Sequence, residues 1–353
     1  MIQDNITHII DPSLIAQARE LIEQHQHFVV TTHMSPDGDA VGSALSMAAY
    51  LRKKGKDAVV IFNDTPGENL HVIPGIGEGI VYDNQNDGTP CHKAEAQQKI
   101  READAFVCVD FNVPTRMGDM HTEVMANPAP KLMIDHHIGP DTEHFDVIIS
   151  HPEAVAACEL VYRFILQMGD DAIIDHQLAT QLYCGLLTDT GFLIFNCNQP
   201  QIFLIAARLM QEGVDNEGIR KEMALEHERR VRLKGYCLHQ KMRTLYDHKA
   251  AYMSLDKSEM KRFNHQKGDS EFFVNMPLDL YGIQVSAFFR EEKNFIKVSL
   301  RSKGEYPVNL IAEKFFHGGG HRNAAGGEFL GSLQQAEQLF VKALPLFDKF
   351  LEK

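Results

Sequence analysis

At four places in this chain an apolar run stops on a carboxylate, and that recurrence constrains the fold more than any other feature. Phe28 to Val30 is short and β-branched, as a buried parallel strand would be, and His33-Met34-Ser35-Pro36-Asp37-Gly38-Asp39-Ala40 follows directly. Ala105-Phe106-Val107-Cys108-Val109 runs into Asp110, Lys131-Leu132-Met133-Ile134 into Asp135-His136-His137, and Leu182 to Leu187 into Thr188-Asp189-Thr190. Ala40 to Leu51 carries apolar residues at helical spacing, with Gly55 as a stop signal. The first acidic cluster therefore sits on a strand-to-helix turn, and in an open α/β sheet such turns lie at the carboxyl ends of the strands, where ligands bind. Pro36 and Gly38 allow a tight turn that brings backbone N–H groups toward an anion at the helix N-terminus. Ser35 or Asp37 serves equally well as a plain N-cap, and a lone strand-end Asp is commonly a turn residue. Four occurrences of one pattern favour a shared site.

Asp and His together suit a borderline-hard divalent ion such as Mn²⁺, with Mg²⁺ or Co²⁺ as substitutes. No Cys pair stands at ligand spacing, which argues against structural zinc or an iron–sulfur cluster. The ligand positions are too many for one open catalytic ion. Two ions about 3.5–4 Å apart on a shared carboxylate is the arrangement of phosphatases and nucleases, in which a bridging water ionises near neutral pH and both cations offset charge on the phosphorus oxygens. The expected reaction is hydrolysis of a phosphoric ester by that bridging hydroxide.

These segments, in this order, resemble the motifs of the DHH phosphoesterases, and Gly318-Gly319-Gly320-His321-Arg322-Asn323-Ala324-Ala325-Gly326-Gly327 resembles the glycine-rich motif of the associated DHHA1 domain. The resemblance implies that His33 and Asp37 hold one ion, that Asp39, His136 and Asp189 hold the other, and that Asp110 bridges them. It makes His137 an imidazole beside the leaving group and Asp135 the carboxylate that fixes its tautomer. Within the family the two-domain plan resembles the bifunctional oligoribonucleases, which trim very short RNA to mononucleotides and remove the 3′-phosphate of 3′-phosphoadenosine 5′-phosphate. Phosphodiesterases of cyclic or linear dinucleotides share the same centre and form the alternative. A nucleotide sensor that keeps metals for binding only is a third reading, and the intact ligand set and His137 count against it.

Length and charge agree with this picture. A chain of 353 residues exceeds the size at which single cores stop growing. Alternating apolar runs and helical segments give the expected fold class, α/β with a mainly parallel sheet covered by helices on both faces (residues 1–199) followed by a helical connector (200–249), and the family resemblance implies that residues 250–353 are a smaller α/β DHHA1 domain closing over the cleft. Phe203, Ala206, Ala207 and Met210 set the helical spacing in the connector, and Glu217 to Arg243 reads as a solvated helix or helix pair. Tyr281 to Phe289 and Asn294 to Leu300 read as adjacent strands around a turn at residues 290–293, Leu333 to Leu351 as an amphipathic helix, and Asp83 to Pro90 as an exposed loop. No apolar stretch approaches the roughly 20 residues of a membrane span, and Met1 to Asp11 lacks a signal-peptide layout, so a cytoplasmic location without membrane contact is expected. The six cysteines have no framework spacing and read as reduced, structural groups.

The second domain bears on substrate. Gly318, Gly319 and Gly320 can form an anion-binding nest or simply a flexible turn; Arg322 beside His321 favours the former. From Arg290 to Arg322 seven Lys or Arg, among them Arg301, face four acids, a small surplus in a chain of formal net charge −13. A long nucleic acid needs an extended basic track, so the expected partners are short RNA oligonucleotides and phosphorylated nucleotides; a homodimer is compatible with all of this. Arg116, six residues after Asp110, is a further candidate for the substrate phosphate. His25, His27, His144, His151, His227, His239 and His265 lie outside the motifs and read as surface or supporting groups. The Phe272-Phe273 pair reads as core rather than as a base-stacking platform.

Overall fold

Alternate residues of the first-half apolar runs enter two different cores, as strands covered on both faces require. Phe28, Val30, Val60, Val107 and Ile134 lie in one cluster, while Val29, Ile61, Phe106, Cys108 and Met133 lie in the other. The computed structural model describes residue 6 and residues 8–83, 91–266 and 268–351. The chain divides into two compact units, Met1–Leu225 and Glu226–Lys353. Apart from Asp83, the loop expected over Asp83 to Pro90 lies outside the described residues.

In the first unit β1 (His27–Thr31), β2 (Asp57–Phe62), β3 (Ile80–Val81), β4 (Ala105–Val109), β5 (Lys131–Asp135) and β6 (Val147–Ser150) form a parallel sheet in the order β3-β2-β1-β4-β5-β6. The strand order reverses between β1 and β4, the switch point at which such sheets open a crevice for ligands. Helices α1 (Pro12–Gln24), α2 (Gly38–Lys53), α3 (Lys93–Glu102), α4 (His121–Ala126), α5 (Ala157–Gln167) and α6 (His176–Asp189) surround it, with α1, α2, α5 and α6 packed in the first cluster and α3 and α4 in the second. The fourth apolar run is thus the last turns of a helix, and Asp189 ends α6 rather than a strand.

The segment expected as a connector is shared out between the units. Helices α7 (Pro200–Gln211) and α8 (Asn216–Met223) belong to the first, because Ile202, Ile205, Ala206, Leu209, Ile219 and Met223 pack into its core. Phe203 and Met210, read above as part of the apolar face of α7, are 50% and 43% exposed; the helix buries the adjacent stripe. Helix α9 (Glu228–Tyr236) belongs to the second unit, where Leu233 is buried.

The second unit contains a mixed sheet in the order β11-β12-β10-β9-β8-β7, built from β7 (Arg243–Leu245), β8 (Ala250–Leu255), β9 (Val285–Glu291), β10 (Ile296–Ser302), β11 (Gly319–His321) and β12 (Ala324–Phe329). All neighbours are antiparallel except β8 and β9. Strand β9 starts at Val285, and Tyr281 is wholly exposed before it. The helices of this unit are α9, α10 (Lys257–Arg262), α11 (Val308–Phe315) and α12 (Leu333–Ala343). Phe289, Phe316 and Phe340 fill the core under α11 and α12, with ring centroids 5.8–6.1 Å from that of Phe289. Helix α12 ends well before Leu351 because Pro345 has no N–H to continue it, and two 3₁₀ turns follow. Phe273 is buried as expected, whereas Phe272 takes φ +64° and is 62% exposed. Among the described residues no helix is long and apolar enough to cross a membrane, and five of the six free cysteines are buried.

Candidate metal centre

The carboxyl ends of β1, β4 and β5 lie side by side, so the side chains that follow them converge. His33 lies just beyond β1, Asp110 just beyond β4, and Asp135, His136 and His137 at and beyond the end of β5. The N-terminal turn of α2 contributes Asp37 and Asp39, and the last turn of α6 contributes Asp189. Three groups of donor atoms result, each with its atoms within 4.8 Å of one another: His33, Asp37 and Asp110; Asp39, His136 and Asp189; and Asp110, His136 and His137.

Asp110 stands between the first two groups. Its Oδ2 is 3.4 Å from His33 Nε2 and its Oδ1 is 3.3 Å from His136 Nε2. That Oδ1 is buried without a hydrogen-bond partner, which a carboxylate oxygen tolerates poorly unless a cation completes it. His136 Nε2 is also 3.3 Å from Asp189 Oδ2 and 3.9 Å from Asp39 Oδ2, and His33 Nε2 is 4.0 Å from Asp37 Oδ1. Both imidazoles are turned the way metal ligands are. His33 directs Nδ1 to the Met34 carbonyl at 2.8 Å and His136 to the Ala154 carbonyl at 3.2 Å, so each keeps Nε2 for the centre.

Among themselves the donor groups are electrostatically strained. Burial, then the neighbouring Asp110, push Asp39 up to about 7, and burial with Asp39 and Asp110 pushes Asp189 well above the usual carboxylate range. Burial disfavours the imidazolium of His33 and His136, but Asp110 more than offsets this, raising them to about 9 and about 11. Burial likewise pushes Asp110 up, yet His136 and His33 hold it well below the ordinary range. Asp189 adds a carboxylate at a helix C-terminus, the unfavourable end of the dipole. A donor set of two buried acids, Asp39 and Asp110, the more open Asp37 and Asp189, and Nε2 atoms around an orphaned oxygen fits divalent cations.

Residues 27–186 match the model of the DHH family, N-terminal domain, and residues 247–352 match the DHHA1 domain. A solved exopolyphosphatase-related protein from Bacteroides fragilis is 37% identical, with a TM-score of 0.92 over 99% of this chain and 100% of that one. The chain belongs to the DHH family. It is a hydrolase of phosphoester bonds. The bifunctional oligoribonuclease and PAP phosphatase NrnA of Thermus thermophilus is 27% identical over 94% of this chain and 92% of its own. The cyclic-di-AMP phosphodiesterase GdpP of Bacillus subtilis is 24% identical over 95% of this chain and 49% of its own.

Around this DHH centre the supporting contacts are specific. Asp135 is fully buried; its Oδ1 accepts from His137 Nδ1 at 2.7 Å and its Oδ2 from the His137 amide at 3.0 Å. Asp37 proves to be cap and candidate ligand at once, since its Oδ1 accepts the amides of Asp39 and Ala40 at 3.0 Å. Asp39 accepts the amides of Ala157 and Cys158 at 2.5 and 2.8 Å, and so caps α5 from another helix. Helices α2 and α6 come close beside it: a Cβ on Gly185 would run into Cys158 Sγ and lie 3.0 Å from Asp39 Oδ1.

Two supports escape the sequence reading. Asp64 is 1% exposed; its Oδ1 accepts the Ser35 amide at 2.6 Å and so braces a turn in which Ser35 takes φ +54°. A signal existed, because Asp64 also follows an apolar run, that of β2. The backbone of residues 154–158 gave none.

Arg116 is half-buried in the turn after Asp110, where its carbonyl accepts the Met34 amide at 2.7 Å. In the second unit Arg301 lies on β10, partly buried, with Nη1 on the Leu300 carbonyl at 2.9 Å. Arg322 is exposed and paired with Glu305. The glycine run has a different first cause from the expected nest. Gly318 donates its amide to the Ala312 carbonyl, and Gly319, Gly320 and His321 pair with β12; a Cβ on Gly318 would strike the Gly326 carbonyl and lie 2.5 Å from Gly327 Cα. Close backbone approach in the hairpin requires glycine there.

Proposed function

We propose that this chain hydrolyses very short oligoribonucleotides to mononucleotides, and 3′-phosphoadenosine 5′-phosphate to AMP, at a centre holding two divalent ions, with Mn²⁺ the preferred metal. The observation that carries the reading is the orphaned Asp110 Oδ1 between two donor groups. In this reading His33 and Asp37 serve the first ion, Asp39, His136 and Asp189 the second, and Asp110 both. When bound, such ions supply Lewis acidity and a nucleophile at neutral pH.

The remaining tasks fall to the chain itself. Asp135 holds the Nδ1 proton of His137 and fixes the ring, so that the imidazolium form carries its second proton on Nε2, where it can be given to the departing oxygen. Arg116 offers a guanidinium to the phosphate oxygens that do not react. In the second unit Arg301, His321, Arg322 and the backbone of Gly319 and Gly320 are assigned to a further substrate phosphate, with Gly318 shaping their turn. A formal charge of −13 with no extended basic track favours short substrates, since long nucleic acids gain affinity by releasing counterions along many contacts. A cytoplasmic location belongs to the same proposal. The name of the Thermus thermophilus relative supports these substrates; similarity to the Bacillus subtilis cyclic-di-AMP phosphodiesterase favours dinucleotides as a second reading.

Product analysis with Mn²⁺ on a dinucleotide, a pentanucleotide, 3′-phosphoadenosine 5′-phosphate and cyclic di-AMP separates them. Mononucleotides and AMP as the fastest products support the first reading, and preferential opening of cyclic di-AMP supports the second. EDTA should stop turnover, and Mn²⁺ or Co²⁺ should restore it better than Ca²⁺. Turnover that persists in EDTA would remove the metal reading altogether.

A further inference from the structure

Glu159 and Arg163 form a buried ion pair to which the reading above gives no task. Their side chains are 2% and 3% exposed. Arg163 Nε and Nη2 each lie 2.7 Å from Glu159 Oε1, and the other oxygen, Oε2, accepts the Val155 amide at 2.8 Å. Three N–H donors therefore converge on one side chain, a demand that only an acceptor-only carboxylate meets in full. A buried pair of this kind adds little net stability over apolar residues of similar volume.

What the pair grips is informative. Val155 lies in a five-residue stretch whose backbone serves the centre at both ends. The Ala154 carbonyl receives His136 Nδ1, and the Ala157 and Cys158 amides bind the two oxygens of Asp39. The group of His33, Asp37 and Asp110 draws on other supports, the Met34 carbonyl and the first amides of α2.

We propose that Glu159, fixed by Arg163, is a positioning residue for the Asp39–His136–Asp189 site. By pinning Val155 it sets the aim of His136 Nε2 and of both Asp39 oxygens, and it leaves the His33–Asp37–Asp110 site to its own supports. This rests on the two-ion reading.

The test is a calorimetric Mn²⁺ titration of the full chain, carried out on wild type, Glu159→Gln and the double variant Glu159→Leu/Arg163→Leu. Thermal unfolding in EDTA is measured beside it. Glutamine presents one acceptor and an NH₂ where three donors converge, so one donor loses its partner. The double variant removes both charges together but leaves the Val155 amide without its acceptor, so it should stay folded in EDTA with a midpoint near that of wild type. In both variants one of the two Mn²⁺ should bind about tenfold or more weakly, the usual effect of losing a group that orients a ligand, while the other stays within about threefold. A folded variant that binds both ions at wild-type affinity, or weakens both alike, overturns the inference. So does failure of both variants to fold, which would assign the pair to the fold. A wild type that binds fewer than two Mn²⁺ defeats the two-ion reading instead.

Discussion

Asp110 takes φ +62°, a left-handed conformation that Asp and Asn accept more readily than other side chains. Asn is therefore the informative replacement, since it preserves backbone and shape while removing charge. Asp110→Asn should stay folded by circular dichroism and lose a factor of 10³ or more in turnover, on the order expected when both cations lose their shared anion. Activity within about tenfold of wild type would place the metals elsewhere. Asp135→Asn tests a different property, because an amide in place of the carboxylate lets His137 carry its proton on Nε2 or lose its orientation. A fall in kcat of roughly 10²–10⁴ with little change in KM is expected, the range for a general acid; a change confined to KM would make Asp135 a binding residue. At this scale the convergence of the candidate ligands was legible, because each follows a local pattern. That Asp37 can be cap and candidate ligand together was legible only as two alternatives, and the contact of the Ala154 carbonyl with His136 was invisible, since a backbone atom carries no sequence signal.

Strands were read more accurately than helices, for a physical reason. A strand buried on both faces is apolar throughout, so Ala105–Val109 shows its character without knowledge of its neighbours. A helix buries one stripe, and which stripe depends on its partner; α7 carries Phe203 and Met210 outward although they fit the spacing. Helix α2 is fixed at its far end by contacts of the same non-local kind. Tyr50 donates to Asp170 at 2.6 Å and Lys54 lies 3.0 Å from both its oxygens. Burial pushes the Asp170 carboxyl up, but the Tyr50 hydroxyl and Lys54 more than offset that and leave it lowered. A lowered folded value means stability that is present above the unfolded value of about 4 and lost as pH falls through the folded one. Asp170→Asn should thus cost about 1 kcal/mol at pH 7 in urea unfolding, a figure moderated by solvent access to Lys54. The gap to wild type should narrow below about pH 4; a gap that widens on acidification would contradict the assignment.

The two units have separate cores, and residues 200–249, read from the sequence as a connector, are divided between them. Burial assigns α7 to the first: Ile202, Ile205 and Leu209 are 0–1% exposed in that core, each contributing ~2 kcal/mol. A fragment ending at Leu225 should unfold cooperatively and bind Mn²⁺ in calorimetry. One ending at Asn198 should unfold at a distinctly lower temperature, and equal midpoints would mean that α7 is dispensable. The close approach of α2 and α6 at Gly185 has a consequence for which cation the protein prefers. Asp39 rides on α2 and Asp189 on α6, and a methyl on Gly185 would press first on Cys158 Sγ of α5 and then on Asp39, so in the proposed site the missing side chain acts as a gauge for the bore between the two carboxylates. A single methyl in that gap is a wedge, and a wider bore suits a larger ion with longer oxygen bonds. Gly185→Ala should narrow the ratio of Ca²⁺ to Mn²⁺ dissociation constants; an unchanged ratio would show that the bore is cut by other atoms.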